Sequence, residues 1–238
     1  MRTAYTVFRN LYNVRKMTMK LVLASGSQRR RELLTMCGYD YEIIVSNADE
    51  TIDESDPESF VRALSFRKAK EVFDRLSAAG RRDFAVIGSD TVVAFQKEGG
   101  TKPVIIGKPK DAEDAVRILS MLSGKTHRVF TGVSVIADIP DENAAAQCSI
   151  REKAEIQTEC SITEVTFETL SPDEIADYVN SGDPLDKAGS YGIQGPFGMF
   201  VREIRGNYFT VIGMPIPVLY KMLKKIGILP HGFYERIE

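Results

Sequence analysis

Several things are scarce in this chain of 238 residues: it has no tryptophan, two histidines and three cysteines. With only His127 and His231, a serine–histidine–aspartate relay or a histidine-rich metal centre has little material to work with. Cys37, Cys148 and Cys160 lack paired metal-ligand spacing, and an odd number builds no closed disulfide framework, so a reducing compartment fits best. Charge of one sign is also lacking. Thirty-one basic against thirty-three acidic side chains leave a net charge of -2, which argues against a general nucleic-acid or membrane-binding surface. No apolar run reaches the roughly 18 residues of a membrane span, and neither an internal repeat nor a low-complexity linker is visible. Hydrophobic content of 43% and charged content of 27% are ordinary for a globular protein. The length suits one large α/β domain or two lobes around a cleft. Any polyanion that binds must be met by a local cluster of basic groups.

Such a cluster stands at residues 21–34, LVLASGSQRRRELL. Leu21 to Ala24 reads as a short buried strand, Ser25-Gly26-Ser27 as a tight turn, and Gln28 onward as a helix with Leu33, Leu34 and Cys37 inward and Gly38 as its C-cap. Ser27 is a suitable N-cap. The first turn carries Arg29, Arg30 and Arg31, although the helix dipole is already positive there and unpaired N–H groups point outward. Three cations at that end are unfavourable unless an anion sits against them, and a strand–turn–helix N-terminus is a natural phosphate site. The plainer alternative is a set of solvated arginines on a surface helix. We favour a polyphosphate site, because the small residues allow a ligand close to the backbone.

Residues 1–20 hold five basic side chains and no acidic one, a weak likeness to a mitochondrial presequence. Ala4, Phe8, Leu11 and Tyr12 form a helical stripe, so an N-terminal helix docked on the body is expected. Tyr41 to Val45 reads as a second strand running into an acidic stretch from Asp49. Asp56-Pro57 opens a long helix in which Phe60, Leu64, Lys68, Val72 and Leu76 recur every four residues. Lys68 interrupts that apolar stripe; it either snorkels outward or serves a site.

Asp83 to Phe95 reads as a central strand apolar enough for burial on both faces, with Asp90 in its middle. A buried carboxylate is costly unless paired, hydrogen-bonded or bound to metal, so Asp90 is the strongest single functional hint. The alternative is a structural aspartate accepting turn N–H groups. A helix from Asp111 to Ser123 closes at Gly124, and Gly124-Lys125-Thr126 resembles the tail of a P-loop, but Leu119 stands where its first glycine belongs. Alternation then predicts strands from His127 and from Glu155 to Phe167, with Asp138 to Ala146 as a loop between them. Ser171 to Glu174 forms a capping box for a helix to Val179. A glycine-dense loop follows from Asp183 to Gly195, suited to setting amides and a few polar groups against a flat ligand. Met199 to Ile204 and Tyr208 to Ile212 read as a hairpin about Gly206-Asn207, and Pro215 to Ile226 as a final helix. Pattern alone thus gives α/β followed by a more β-rich half.

The ordered set S-G-S-Q-R-R (25 to 30), Asp49-Glu50, Lys68, G-S-D-T-V-V (88 to 93), G-K-P (107 to 109), L-S-G-K-T-H-x-V-x-T-G-V (122 to 133) and D-K-A-G-S-Y-G-I-Q-G (186 to 195) resembles the Maf family of nucleoside triphosphate pyrophosphatases. The resemblance runs from about Leu21 to Ile226. Gln28 stands where proline is usual, and a longer segment, Lys97 to Val104, precedes Gly107-Lys108. It implies an α/β fold, a twisted mixed sheet with flanking helices forming two lobes around a cleft, like that of inosine-triphosphate pyrophosphatases. One domain, residues 21–238, would then follow the N-terminal helical extension of residues 1–20.

The resemblance also implies cleavage of a nucleoside triphosphate between its α and β phosphates. Ser25, Arg29, Arg30, Lys68 and Lys108 would bind the triphosphate, and Glu50 and Asp90 would hold Mg²⁺ or Mn²⁺. Asp90 would also accept the proton of the attacking water. Arg29, Thr91 and Gln194 resemble the branch that takes dTTP and UTP rather than 7-methyl-GTP, and the Gln194 amide suits the edge of thymine or uracil. A nucleotide-pool housekeeping role, a cytoplasmic location with a mitochondrial alternative, and a homodimer are the accompanying expectations. Nucleic-acid and membrane partners are not. Two other readings stay open: a nucleotide-binding regulator of cell division, and a pyrophosphatase for inosine or xanthosine triphosphate.

Overall fold

A computed structural model describes residues 19–96, 99–100, 102–139 and 154–231. The expected N-terminal helix, most of the expected loop from Asp138 to Ala146, and part of the longer segment before Gly107 fall outside the described residues.

Among the described residues seven strands form one mixed sheet in the order β2-β1-β3-β5-β6-β7, with β4 also pairing with β3. They are β1 Lys20–Leu23, β2 Tyr41–Ile43, β3 Phe84–Phe95, β4 Val104–Ile106, β5 Thr126–Asp138, β6 Ala154–Phe167 and β7 Val201–Arg205. The helices are α1 Gln28–Met36, α2 Pro57–Ala78, α3 Ala112–Leu122, α4 Pro172–Asn180, α5 Tyr208–Ile212 and α6 Ile216–Lys225. The mixed α/β architecture with helices flanking the sheet is therefore the one expected from the sequence.

The helices begin where their cap chemistry places them. Asp56 accepts the Ser59 amide at 2.9 Å with Pro57 in the first turn of α2, and Ser171 and Glu174 close a reciprocal capping box on α4. Ser27 occupies the N-cap of α1 but makes no side-chain cap; its amide donates instead to Ser25 Oγ at 3.2 Å.

One expected element is wrong. Tyr208 to Ile212 is helix α5, not the second strand of a hairpin. Asn207 accepts the Phe209 amide at 2.8 Å, and Gly213, at φ 108°, ends the turn, so local capping outweighs the β-type composition. Strand β7 instead pairs antiparallel with β6.

Helix α2 lies unusually close to the sheet. Gly88 on β3 and Gly132 on β5 face it, and a Cβ on either would fall 2.1 Å from a helix carbonyl oxygen, that of Ser65 or Val61. Only glycine allows this approach. It sets Lys68, one turn beyond Leu64, above the sheet at Asp90.

The apolar core divides around the middle of β3. Toward its start, Ala85 and Ile87 pack with β1, α1 and α6 on one face, while Phe84 and Val86 pack with α2 on the other. Toward its end, Val93 and Phe95 join α3 and α4, and Val92 and Ala94 join Val61 and Phe130. Between these lie Gly88, Ser89, Asp90 and Thr91, a polar band that no cluster covers.

Candidate active site

The pairing register opens a gap at that band. On one edge β3 is paired with β5 from Ala85 to Ala94. On its other edge it pairs with β1 only at Phe84 to Ile87 and with β4 only from Val93 to Phe95. Among the described residues, 88–92 thus have an edge without a strand partner, directly beyond the C-terminal end of β1, where open α/β sheets bind ligands.

A cleft of about 780 Å³ fills this gap, within the range of small-molecule sites. All nine residues singled out from the sequence line it: Ser25, Arg29, Arg30, Glu50, Lys68, Asp90, Thr91, Lys108 and Gln194. They arrive from the β1–α1 turn, the first turn of α1, the acidic stretch, α2, β3, the loop after β4 and the glycine loop.

At the floor, Lys68 Nζ lies 2.7 Å from Asp90 Oδ1 and 2.9 Å from Glu50 Oε1. Lys68 and Asp90 side chains are each 12% exposed, whereas Glu50 is 66% exposed. Lysine thus interrupts the α2 stripe because it pairs with a carboxylate, not because it reaches for solvent. Asp90 lines the cleft and has no other hydrogen-bond partner among the described residues, so its second oxygen is unpaired there.

Arg30 is fixed on the opposite face of β3. Its guanidinium donates to Gly213 O at 2.9 Å, Ser25 Oγ at 3.1 Å and Thr91 Oγ1 at 3.4 Å. Burial lowers its pKa from the ordinary value, opposed by the Asp90 and Glu50 charges and assisted by Arg29. Thr91 Oγ1 also lies 3.0 Å from Thr131 Oγ1, and Thr131 donates to Thr210 O at 2.7 Å. The Thr91 hydroxyl is therefore committed to holding Arg30 against the sheet.

Lys108 and Gln194 are exposed at the rim, and neither side chain has a hydrogen-bond partner among the described residues. Gln194 does not brace its own loop.

Asp183, Asp186 and Lys187 were legible only as part of the glycine-dense loop and its motif, with no individual role, although two carboxylates flank one lysine there. Lys187 Nζ donates to Asp183 O at 2.6 Å, Asp183 Oδ1 at 2.9 Å and Asp186 Oδ1 at 2.8 Å. Asp186 also pairs with Arg29 at 3.3 Å, joining the glycine loop to α1 across the cleft mouth. Burial raises the Asp186 pKa, but the Lys187 hydrogen bond and the Arg29 charge outweigh it and hold the carboxyl below its ordinary value.

Oxygen donors and cations thus share one cleft. Two carboxylates could bind a hard divalent cation alongside phosphate oxygens, since such ions are commonly held by one or two carboxylates plus substrate. The basic groups could hold a triphosphate. Among the described residues no cluster of three or more His, Cys, Asp or Glu forms a protein-only metal cage, and no helix is long and apolar enough to cross a membrane.

A nucleotide-sized cleft with a carboxylate pair at its floor and arginines at a helix N-terminus defines a phosphate-handling α/β protein. The family model described as Maf-like protein matches residues 20–226, and the chain belongs to the Maf family. It is 41% identical over 217 residues to a dTTP/UTP pyrophosphatase of Agathobacter rectalis, covering 88% of this chain and 98% of that one. It is 43% identical over 210 residues to a dTTP/UTP pyrophosphatase of Bacillus thuringiensis, covering 88% and 96%. Among solved structures it is similar to the Staphylococcus aureus Ham1 protein, at 14% identity and a TM-score of 0.42 over 87% of this chain and 98% of that one, a likeness too distant to bear on fold or function.

Proposed function

We propose that this chain hydrolyses dTTP and UTP to the monophosphate and pyrophosphate. The observation that carries the reading is the Lys68 bridge between Asp90 and Glu50, set in the sheet gap opposite Arg29 and Arg30. The relatives named dTTP/UTP pyrophosphatases support it.

The triphosphate lies against the Ser25–Arg30 turn. Arg30, already tied to Gly213, Ser25 and Thr91, presents positive charge at no cost of ordering on binding. Arg29 and Lys108, nearer the rim, meet the remaining phosphate oxygens, and Lys68 adds charge at the floor. Catalysis of phosphoryl-type transfer is mostly such positioning and charge stabilisation. Asp90 accepts a proton from the attacking water through its unpaired oxygen as the bond to the leaving pyrophosphate breaks. Glu50 and Asp90 would hold Mg²⁺ or Mn²⁺, which when bound would neutralise phosphate charge. Gln194, free at the rim, reads the pyrimidine edge with one acceptor and two donors.

Asp90→Asn tests the assignment. Turnover of dTTP should fall by roughly 10²–10⁴-fold, with the near-ultraviolet circular dichroism of the native fold retained. Near-normal turnover would show that Asp90 is not the base.

A further inference from the structure

Gln194 occupies a turn whose anchor lies outside the cleft. The Gly195 amide donates to Gly192 O at 3.1 Å, so Ile193 and Gln194 are the two central residues of a tight turn. At its first residue the turn is held by a side chain: the Gly192 amide donates to the Tyr178 hydroxyl at 3.0 Å. That hydroxyl donates in turn to Asp183 Oδ2 at 2.5 Å, and Asp183 Oδ1 accepts from Lys187 at 2.9 Å.

The chain Gly192–Tyr178–Asp183–Lys187 ties the loop to α4 and leaves each group one defined role. Lys187 donates three bonds and has no proton left for a ligand. Tyr178 is 6% exposed; burial first, and then the Asp183 bond, push its phenol well above the ordinary value, so it remains a donor at any working pH. Gly192 lies against the Lys187 stem: a Cβ there would fall 2.6 Å from Lys187 Cε and 3.2 Å from Asp183 Oδ2. The Tyr178 ring packs on Phe197, just beyond the turn, at 4.8 Å between centroids. Phenylalanine would preserve that packing and delete only the hydroxyl.

We propose that the Tyr178 hydroxyl is a positioning group for base selection: by holding the Gly192 amide and the Asp183 carboxylate it fixes the Gly192–Gly195 turn and hence the Gln194 amide at the cleft. The proposal rests on Gln194 being the base reader. Tyr178 touches no substrate and acts through that turn.

The test is a double-mutant cycle on base selectivity, the ratio of kcat/KM for dTTP to that for CTP, in the wild type, Tyr178→Phe, Gln194→Ala and the double variant. Tyr178→Phe should lower the ratio about 5- to 10-fold, consistent with losing one hydrogen bond, mainly through a higher KM for dTTP, with kcat falling less. In the Gln194→Ala background the same substitution should change the ratio less than twofold. If Gln194→Ala narrows the ratio and Tyr178→Phe does not, or if Tyr178→Phe lowers it equally in both backgrounds, the positioning role is overturned. If Gln194→Ala itself leaves the ratio intact, base reading by Gln194 fails and the positioning role fails with it, while hydrolysis stands. Should Tyr178→Phe not fold, Asp183→Asn weakens the next link at constant size and must shift the ratio in the same direction through the same cycle; no shift overturns the role.

Discussion

Lys68 Nζ sits 2.7 Å from Asp90 Oδ1 at the floor of the cleft, and the same ammonium reaches Glu50 at 2.9 Å. Two carboxylates that would otherwise repel are gathered around one cation, from a strand on one side and a loop on the other. Lys68→Met keeps the stem and removes the charge. Turnover of dTTP should fall by about 10²–10³-fold, the scale of losing one preorganised charged donor. The stability loss in urea unfolding should stay below the about 3–5 kcal/mol of breaking a fully buried pair, because the cleft is open and Glu50 is exposed. Wild-type turnover in this variant would remove Lys68 from the chemistry.

The closeness of α2 to the sheet carries its own prediction. Gly88→Ala would place a methyl 2.1 Å from Ser65 O and 2.7 Å from the Ala69 amide, both backbone atoms that move only with the helix. Overpacking of this kind costs about 1–3 kcal/mol or more. The thermal midpoint should drop by several degrees, and turnover should fall with it as Lys68 is pushed off Asp90. An unchanged midpoint would mean that the helix does not lie against Gly88 in solution.

His127 supplies a pH signature separate from catalysis. It is 2% exposed, its Nε2 lies 3.0 Å from the Tyr191 hydroxyl, and burial lowers its pKa from 6.5 to about 3. Below pH about 6.5 the unfolded chain binds a proton that the folded chain refuses. Stability therefore rises with pH through this window and is lost as pH falls from there toward 3, at up to about 1.4 kcal/mol per pH unit from this group. Thermal midpoints of wild type and His127→Gln, compared from pH 7 to pH 4.5, should converge as pH falls. Parallel curves would contradict a buried neutral His127.

Much of this was legible in the sequence because local chemistry dictated it. Capping residues and glycines marked most helix ends, and Asp90 within an apolar strand pointed to the floor of the cleft before any geometry. Arg29 and Arg30, electrostatically misplaced at a helix N-terminus, pointed to another wall of the same cleft. Tyr208 to Ile212 misled because a five-residue segment is too short to show a helical period, and the Asn207 cap decided it. The Tyr178–Asp183–Lys187 chain was invisible because it depends on how successive short turns fold back on α4. Gly88 and Gly132 were seen as parts of motifs, but only the crossing of α2 shows why a side chain has no room there.

Pyrophosphate release from the purified full chain with Mg²⁺, measured across dTTP, UTP, CTP, GTP, inosine triphosphate and 7-methyl-GTP, decides whether the cleft is a pyrimidine nucleotide pyrophosphatase site. Stoichiometric pyrophosphate and monophosphate are expected from dTTP and UTP, with kcat/KM at least about tenfold above the other nucleotides, the value of one mismatched buried hydrogen-bonding group. Equal rates across the panel, a preference for a purine nucleotide, or tight binding without pyrophosphate release would contradict that assignment.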